Sequence, residues 1–438
     1  TGGSPAGSGT ITQTLENLTG DVLNAVFTVT PTSTTGSCPG TAFTITVPVR
    51  PQPVGTNSTE PAVCSGTAFN IYPQNNITNG VTGTFSWTAS YPAGLNGGSP
   101  NGTGNINQTL TNLTGGTLNA IYTVTPASLS GSCSGSSFTI TVPVRPQPAG
   151  SVTTETEVCS GITFNKNPQL NITNGVTATF TWTAAYPGGL TGGSPGGTGD
   201  INQTLGNLTG GVLNAIYTVT PVSQTGSCQG ANFTVTVPVR SQPAGTNSTE
   251  TEVCSGISFN KNPQANITNG VTSSFNWTAS FPAGLTGGAL NGTGIINQSL
   301  DNLTGESLNA VYTVVPVSQT GSCTGSSYTV SVPVKPEPTG LAIPSSQAVC
   351  SGNALDEIEL INTNSLSGTV FNWTRNNTAN ITGIPANGSG NITGNPLNNT
   401  GTAQISTYTI TPVSTGGCTG ASFLASIQVN PNPVVDFT

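Results

Sequence analysis

Histidine and methionine are both missing from this chain of 438 residues, and charged residues make up only 5% of it. Without histidine there is no Ser-His-acid or Cys-His pair, the common means of activating a hydroxyl or thiol. Val158-Cys-Ser-Gly161 is not a Gly-x-Ser-x-Gly elbow, and its cysteine is better used in a bridge. Lys and Arg number 7 against 15 acids, for a net charge of −8. A polyanion needs several cationic contacts per site, so nucleic acid is not expected as a partner, and an anionic lipid surface is disfavoured for the same reason. No apolar run approaches the roughly 20 residues that cross a bilayer, so no membrane insertion is expected. The glycine-rich loops, such as Gly192-Gly-Ser-Pro-Gly-Gly-Thr-Gly199, contain no Lys and precede no helix, both of which a phosphate cradle normally uses. There is no CxxC to bind zinc. Asp356, Glu357 and Glu359 lie close in sequence but lack the D-x-[DN]-x-[DN]-G calcium loop, and they read as a solvated strand face. No catalytic residue, metal or cofactor is assigned.

What the chain has is a repeated hairpin. Leu213-Asn-Ala-Ile-Tyr-Thr-Val-Thr-Pro221 alternates Ala215, Tyr217 and Val219 with Ile216, Thr218 and Thr220, the pattern of a half-buried strand. Pro221 is expected to end that strand, Gly226 to turn the chain, and Phe233, Val235 and Val237 to line one face of the return strand. The same hairpin recurs at Phe27 to Val49, Tyr122 to Val144, Tyr312 to Val334 and Tyr408 to Val429. The unit is therefore about 95 residues, the size of a small β-sandwich. Residues 1–53 read as the back half of a unit, followed by complete units at 54–148, 149–243, 244–338 and 339–438. Because Thr1-Gly-Gly-Ser-Pro5 matches Asn96-Gly-Gly-Ser-Pro100, the chain reads as a segment of a longer exported protein. The joints, such as Arg145-Pro-Gln-Pro148 and Arg240-Ser-Gln-Pro243, should be short and stiff.

Within 149–243, seven or so short strands with turns every 8–12 residues and no helical period predict an all-β, antiparallel sandwich. Ala178 to Thr183 carries the unit's one Trp, Asn174-Gly175 signals a turn, and Gly188 to Gly199 reads as a flexible surface loop. The expected core holds Phe180, Trp182, Leu205, Leu208, Tyr217, Val219, Phe233 and Val235, with Trp87, Trp277 and Trp373 equivalent to Trp182. The Asn-x-Thr triplets at Asn76, Asn171, Asn207, Asn266 and Asn302 would be glycan acceptors in a eukaryotic exported protein, but in a chain this rich in Asn and Thr many arise by composition, and in a bacterial one most would be bare. An Arg–Glu contact across a joint, with Arg145 beside Glu155 and Glu157 and Arg240 beside Glu250 and Glu252, could set the angle between units. The alternative is solvated rim charges.

Nine cysteines alternate between a short spacing, as from Cys38 to Cys64, and a long one, as from Cys64 to Cys133. If each unit closes its own bridge, the pairs are Cys64–Cys133, Cys159–Cys228, Cys254–Cys323 and Cys350–Cys418. Cys38 is then left over because its partner would precede residue 1. The rival pairing, at the shorter spacing, would staple each unit to the next. Either use of the cysteines fits an oxidising, extracellular compartment.

Val-Cys-Ser-Gly, a Phe-x-Trp strand, a Gly-rich loop, Tyr-Thr-Val-Thr-Pro, Gly-x-Cys-x-Gly and a final Val-x-Pro-x-Pro strand follow one another in this order. Together they resemble the PKD-like, immunoglobulin-type repeats of very large surface proteins of Bacteroidota, among them gliding and attachment adhesins exported by the type IX secretion system. The resemblance covers the whole chain. It implies a non-enzymatic, cell-surface tandem-repeat protein whose first partners are its own neighbouring repeats. Three roles follow: a rod or stalk segment of an adhesin, an array of modules binding surface glycans or cell-surface proteins by avidity, or a subunit of an extracellular filament. Tyr91, Tyr186 and Phe281, beside the glycine loop, are either a sugar-stacking platform or plugs for the sandwich end.

Overall fold

A computed structural model describes residues 1–433; the last five residues of the 339–438 unit lie outside them. Among the described residues the regular structure is strand, with three short 3₁₀ turns, at Pro73–Asn76, Pro168–Asn171 and Pro263–Asn266. Proline starts each turn, where a missing N–H costs nothing.

The third unit shows how the sequence pattern becomes a sandwich. Val212–Ser223 pairs antiparallel with Phe233–Arg240, setting Tyr217 opposite Val235 and Val219 opposite Phe233. On its other side it pairs with Ala178–Ala185, setting Trp182 opposite Val219. Gly196–Thr198 adds the far edge. The opposing face is two short ladders, Thr163–Lys166 with Ile201–Thr204 and Leu190–Thr191 with Gly206–Asn207. Phe180, Trp182, Ile201, Leu205, Tyr217, Val219, Phe233 and Val235 fill the space between them. Trp182 meets Tyr217 edge-on at 5.6 Å, and Trp87, Trp277 and Trp373 are buried in the same way. Gly197 lies beneath the Trp182 ring, where a Cβ would collide with the indole. Part of the glycine-rich segment is thus an edge strand under the tryptophan, not a free loop.

Three expectations change. Pro221 does not end its strand, which runs on to Ser223. Its carbonyl accepts from Gly230 N, so its missing N–H faces the hairpin loop beyond the last ladder pair, Val219–Phe233. Leu208 is exposed, because Asn207 takes the inward position of that turn. The sheet is also not wholly antiparallel. Thr153–Thr154 and Val158–Cys159 run parallel to Phe233–Arg240. A tandem unit receives its chain at one end and releases it at the other, so its first and last strands must run in the same direction.

The half-unit keeps the hairpin, with Leu23–Val29 paired to Phe43–Val49 in the same register. It has no Trp strand to cover it. Phe43 is 51% exposed where its counterpart Phe138 is 3% exposed.

Candidate functional site at the junctions between units

The cysteines pair in a pattern that neither spacing suggested. The bridges are Cys64–Cys228, Cys159–Cys323 and Cys254–Cys418, each spanning 164 residues, with Cα–Cα distances of 5.5–5.6 Å. Each joins the first cysteine of one unit to the second cysteine of the next. Cys133 and Cys350 are therefore not partners of Cys64 and Cys418; with Cys38 they are free thiols. The reason is where each cysteine sits along the last strand. Cys159 lies beside Arg240, at that strand's far end, whereas Cys228 precedes its start at Phe233. Eight residues of strand separate them by roughly 25 Å, far beyond the ~7 Å a disulfide tolerates. The shorter spacing fails for the same reason, since Cys228 opens the third unit and Cys254 closes the fourth. A counterpart at the 164-residue offset would fall before Thr1 for Cys38 and Cys133 and after Thr438 for Cys350.

Local structure aims each thiol at its neighbour. Gly226 and Ser227 both adopt left-handed backbone, at φ 82° and 53°, immediately before Cys228. The buried Ser223 hydroxyl accepts from Cys228 N at 3.0 Å and donates to Thr225 O at 3.0 Å. Ser33, Ser128 and Ser318 stand in the same relation to Cys38, Cys133 and Cys323. On the other thiol, Ser160 N donates to Arg240 O, while Ser160 Oγ accepts from Asn207 N at 2.9 Å. The serine that precedes each of these hairpin cysteines was visible in the sequence, but its role was not.

An asparagine clamps each joint. Asn174 Nδ2 donates to Gln147 O at 2.8 Å, and its Oδ1 accepts from Ala149 N at 3.1 Å. Asn79 does the same for Gln52 and Val54, and Asn269 for Gln242 and Ala244. Asn364 repeats it on Glu337 and Thr339, although the last unit lacks the Asn-Gly turn sequence. Asn174-Gly175, expected as a hairpin turn, is therefore the joint's clamp. The preceding unit closes on its backbone: a Cβ on Gly115 would lie 2.6 Å from Asn174 O. Side chains also cross the joints, with the Arg145 stem over Gly226 and the Arg240 stem over Gly321.

The charges pair within units. Arg240 binds Glu157 and Lys335 binds Glu252 at 2.8 Å, each across the adjoining parallel strands. Lys166 binds Glu155 at 2.7 Å and Lys261 binds Glu250 at 2.6 Å. The expected contacts of Arg145 with Glu155 or Glu157, and of Arg240 with Glu250 or Glu252, do not form. Burial raises the Glu250 carboxyl, but the Lys261 ammonium and the Ser248 hydroxyl outweigh it and leave the group below its ordinary value.

The remaining candidates are committed to structure. Tyr186 packs edge-on against Tyr217, and its hydroxyl donates to Ser194 O at 2.7 Å and lies 3.4 Å from the Tyr217 hydroxyl. Tyr91 repeats this on Tyr122. Phe281 keeps the packing but not the hydroxyl, leaving Tyr312 Oη unpaired. Burial pushes the Tyr122, Tyr217 and Tyr312 phenols up, and Tyr328 up to about 12. The sequon asparagines Asn76, Asn171, Asn207, Asn266 and Asn302 are buried, and each commits its side-chain amide to the backbone. Asn207, for example, donates to Gly211 O and Val239 O. Glu357 accepts from Asn391 Nδ2 at 2.6 Å. Among the described residues no group of three or more acidic, Cys or His side chains could hold a metal ion. The last unit differs inside as well. Arg375, in place of Ala89, Ala184 and Ala279, is buried and donates to Pro385 O, Ile381 O and Ile384 O, and burial lowers its pKa.

The fold and junctions define a string of β-sandwich modules, each complete one locked to the next. The PKD-like domain family matches residues 1–53, 61–148, 156–243, 251–338 and 347–433, and the chain belongs to that family. No curated protein matches the sequence. Similar solved structures include the human Desmocollin-1 ectodomain, at 12% identity over 87% of this chain and 80% of that one, with a TM-score of 0.25. They also include Sidekick-1 immunoglobulin domains 1–4, at 10% identity over 87% and 97%, with a TM-score of 0.21. Protocadherin Gamma B7 extracellular cadherin domains 1–4 align at 12% identity over 78% and 91%, with a TM-score of 0.22.

Proposed function

We propose that this chain is the non-enzymatic rod or stalk segment of a large cell-surface adhesin that serves attachment or gliding and is exported by the type IX route of Bacteroidota. The observation that carries the reading is that every joint between two complete units is covalently closed from one unit to the next. Such a device fixes reach and direction and contributes nothing to a ligand site. Three disulfides also suit an oxidising, extracellular setting. The partners of each unit are then its own neighbours.

The second reading, modules binding surface glycans or proteins by avidity, has one observation in its favour. An open groove of about 450 Å³ in the last unit is lined by Asn372, Thr374, Asn387, Ser389, Thr409 and Thr411, all uncharged hydrogen-bonding groups. Tyr91 and Tyr186 do not support it, since their rings and hydroxyls are already used.

Small-angle scattering and a glycan array on the whole chain separate the two. With strands of about ten residues, four and a half units should extend on the order of 150 Å. That dimension without sugar binding is the expected result. A compact particle, or sugar binding lost on Asn387→Ala, would replace the stalk with the module.

A further inference from the structure

The cysteines lie on two separate covalent lines. One follows the peptide from Cys38 to Cys64, crosses the bridge to Cys228, follows the peptide to Cys254, and crosses the next bridge to Cys418. The other follows the peptide from Cys133 to Cys159, crosses to Cys323, and follows the peptide to Cys350. Every cysteine lies on one line or the other, and each line takes its peptide from alternate units. The peptides are alike. From Cys228 the chain runs up Phe233–Arg240, crosses the proline joint, and continues as Ser248–Thr249 and Val253–Cys254, parallel to the last strand of the fourth unit. It begins at the near end of the third unit and finishes at the far end of the fourth. Each such peptide thus traverses two units on 26 or 27 residues, about 94–97 Å when fully taut at the limit of about 3.6 Å per residue.

We infer that the protein is a load-bearing line: a pull on its ends travels along the first of these lines, the second standing in reserve behind the segments that join the two, and the remainder of each unit is shielded from it. The shielded segments, such as Cys64 to Cys133 and Cys159 to Cys228, run from one line to the other and hold the tryptophan and the small ladders. Tension reaches them only after a bridge is cut. The routing follows from connectivity alone, so it goes beyond the adhesin reading and holds whatever the protein attaches to.

Single-molecule stretching of the whole chain, with handles at Thr1 and Thr438, tests it. By polypeptide alone, the span from Cys64 to Cys418 is about 1,270 Å when taut. Along the first line, whose only peptide in that span is Cys228 to Cys254, it is about 94 Å. Unreduced protein is expected to gain at most about 30 Å across this span beyond its folded length of about two units, and reduced protein on the order of 1,200 Å. A gain of about 200 Å without reductant would match bridges closed inside each unit and would overturn the inference, as would a full-length gain.

Two double variants sharpen the test. Cys159→Ser with Cys323→Ser cuts the second line and should leave the span bounded by the first. Cys64→Ser with Cys228→Ser removes a loop of the same size but leaves only a long detour through the second line, releasing about 500 Å. Equal behaviour of the two variants would sink the routing. Taut length depends on connectivity, so the readout stands even where a variant loses its fold.

Discussion

The joint before the second unit and the joint before the third carry the same clamp and differ by one covalent bond. Asn79 holds Gln52 O at 2.7 Å and accepts from Val54 N at 3.1 Å; Asn174 holds Gln147 O at 2.8 Å and accepts from Ala149 N at 3.1 Å. Across the later joint lies the Cys64–Cys228 bridge, while at the earlier one Cys133 is free. The clamp bonds to the joint backbone are the same with and without the bridge. Hydrogen bonds and close backbone approach therefore set the joint, and the bridge makes it permanent. Asn79 even adds contacts that Asn174 lacks, to Leu18 O and Thr19 O of the half-unit.

The most severe way to break this comparison is to open the later joint. Cys64→Ser with Cys228→Ser frees a 164-residue loop, and the chain-entropy treatment puts the loss at roughly 5 kcal/mol. Denaturant unfolding should show the second and third units destabilised while the Asn79 joint is unaffected. Next come the clamps. Asn79→Ala orphans a carbonyl and an amide, a cost of about 1–3 kcal/mol at a joint with no bridge to hold it. Hydrogen exchange at Val54 should speed up markedly. Asn174→Ala should change exchange at Ala149 much less, because the bridge keeps the units together. Equal effects would show that the bridge adds no local order.

Smaller effects separate the units from their joints. The third and fourth units are both bridged on two sides, yet only the third satisfies its core tyrosine. Phe281→Tyr should give Tyr312 the partner that Tyr186 gives Tyr217 and raise the fourth unit's stability by about 1 kcal/mol, read from its unfolding midpoint. The smallest effect is electrostatic. Glu250 in the fourth unit has Lys261, whereas the second unit, with Glu60 in the place of Glu250, has Ile71 in the place of that lysine, which cannot pair. Because the Glu250 pKa is lowered, its contribution is present above the unfolded carboxylate value and lost as pH falls through the folded one. On acidification from about pH 5 to 3 the fourth unit should lose up to about 1 kcal/mol more than the same unit carrying Lys261→Ala. An equal loss would remove the ion pair from the account.

Much of this was legible in the sequence. Period-two alternation in Val212–Ser223, the recurring Tyr and Trp, and the turn spacing were enough for the sandwich and its repeat. What could not be read was which end of a unit each residue occupies. Cys159 and Cys228 look like the two ends of one closed loop, but the parallel pairing of Val158–Cys159 with Val239–Arg240 carries Cys159 to the opposite end. The same blindness made Asn174 a turn residue when it is a clamp, because its partners, Ala149 and Gln147, lie well back along the chain, across a joint. The Asn-x-Thr triplets could be read only as products of an Asn- and Thr-rich composition or as glycan acceptors in a eukaryotic source. Asn207 is inside because two backbone carbonyls need its amide.

The 164-residue offset has a consequence for inheritance. Each unit shows one kind of cysteine to the neighbour behind and the other kind to the neighbour ahead. Delete or duplicate any whole unit, and the two faces that newly meet still carry one of each. Copy number can therefore drift without stranding a thiol inside the array, and near-identical repeats are the sequences most prone to such drift. A bond that looks like a lock on one arrangement leaves the length of the array free to vary.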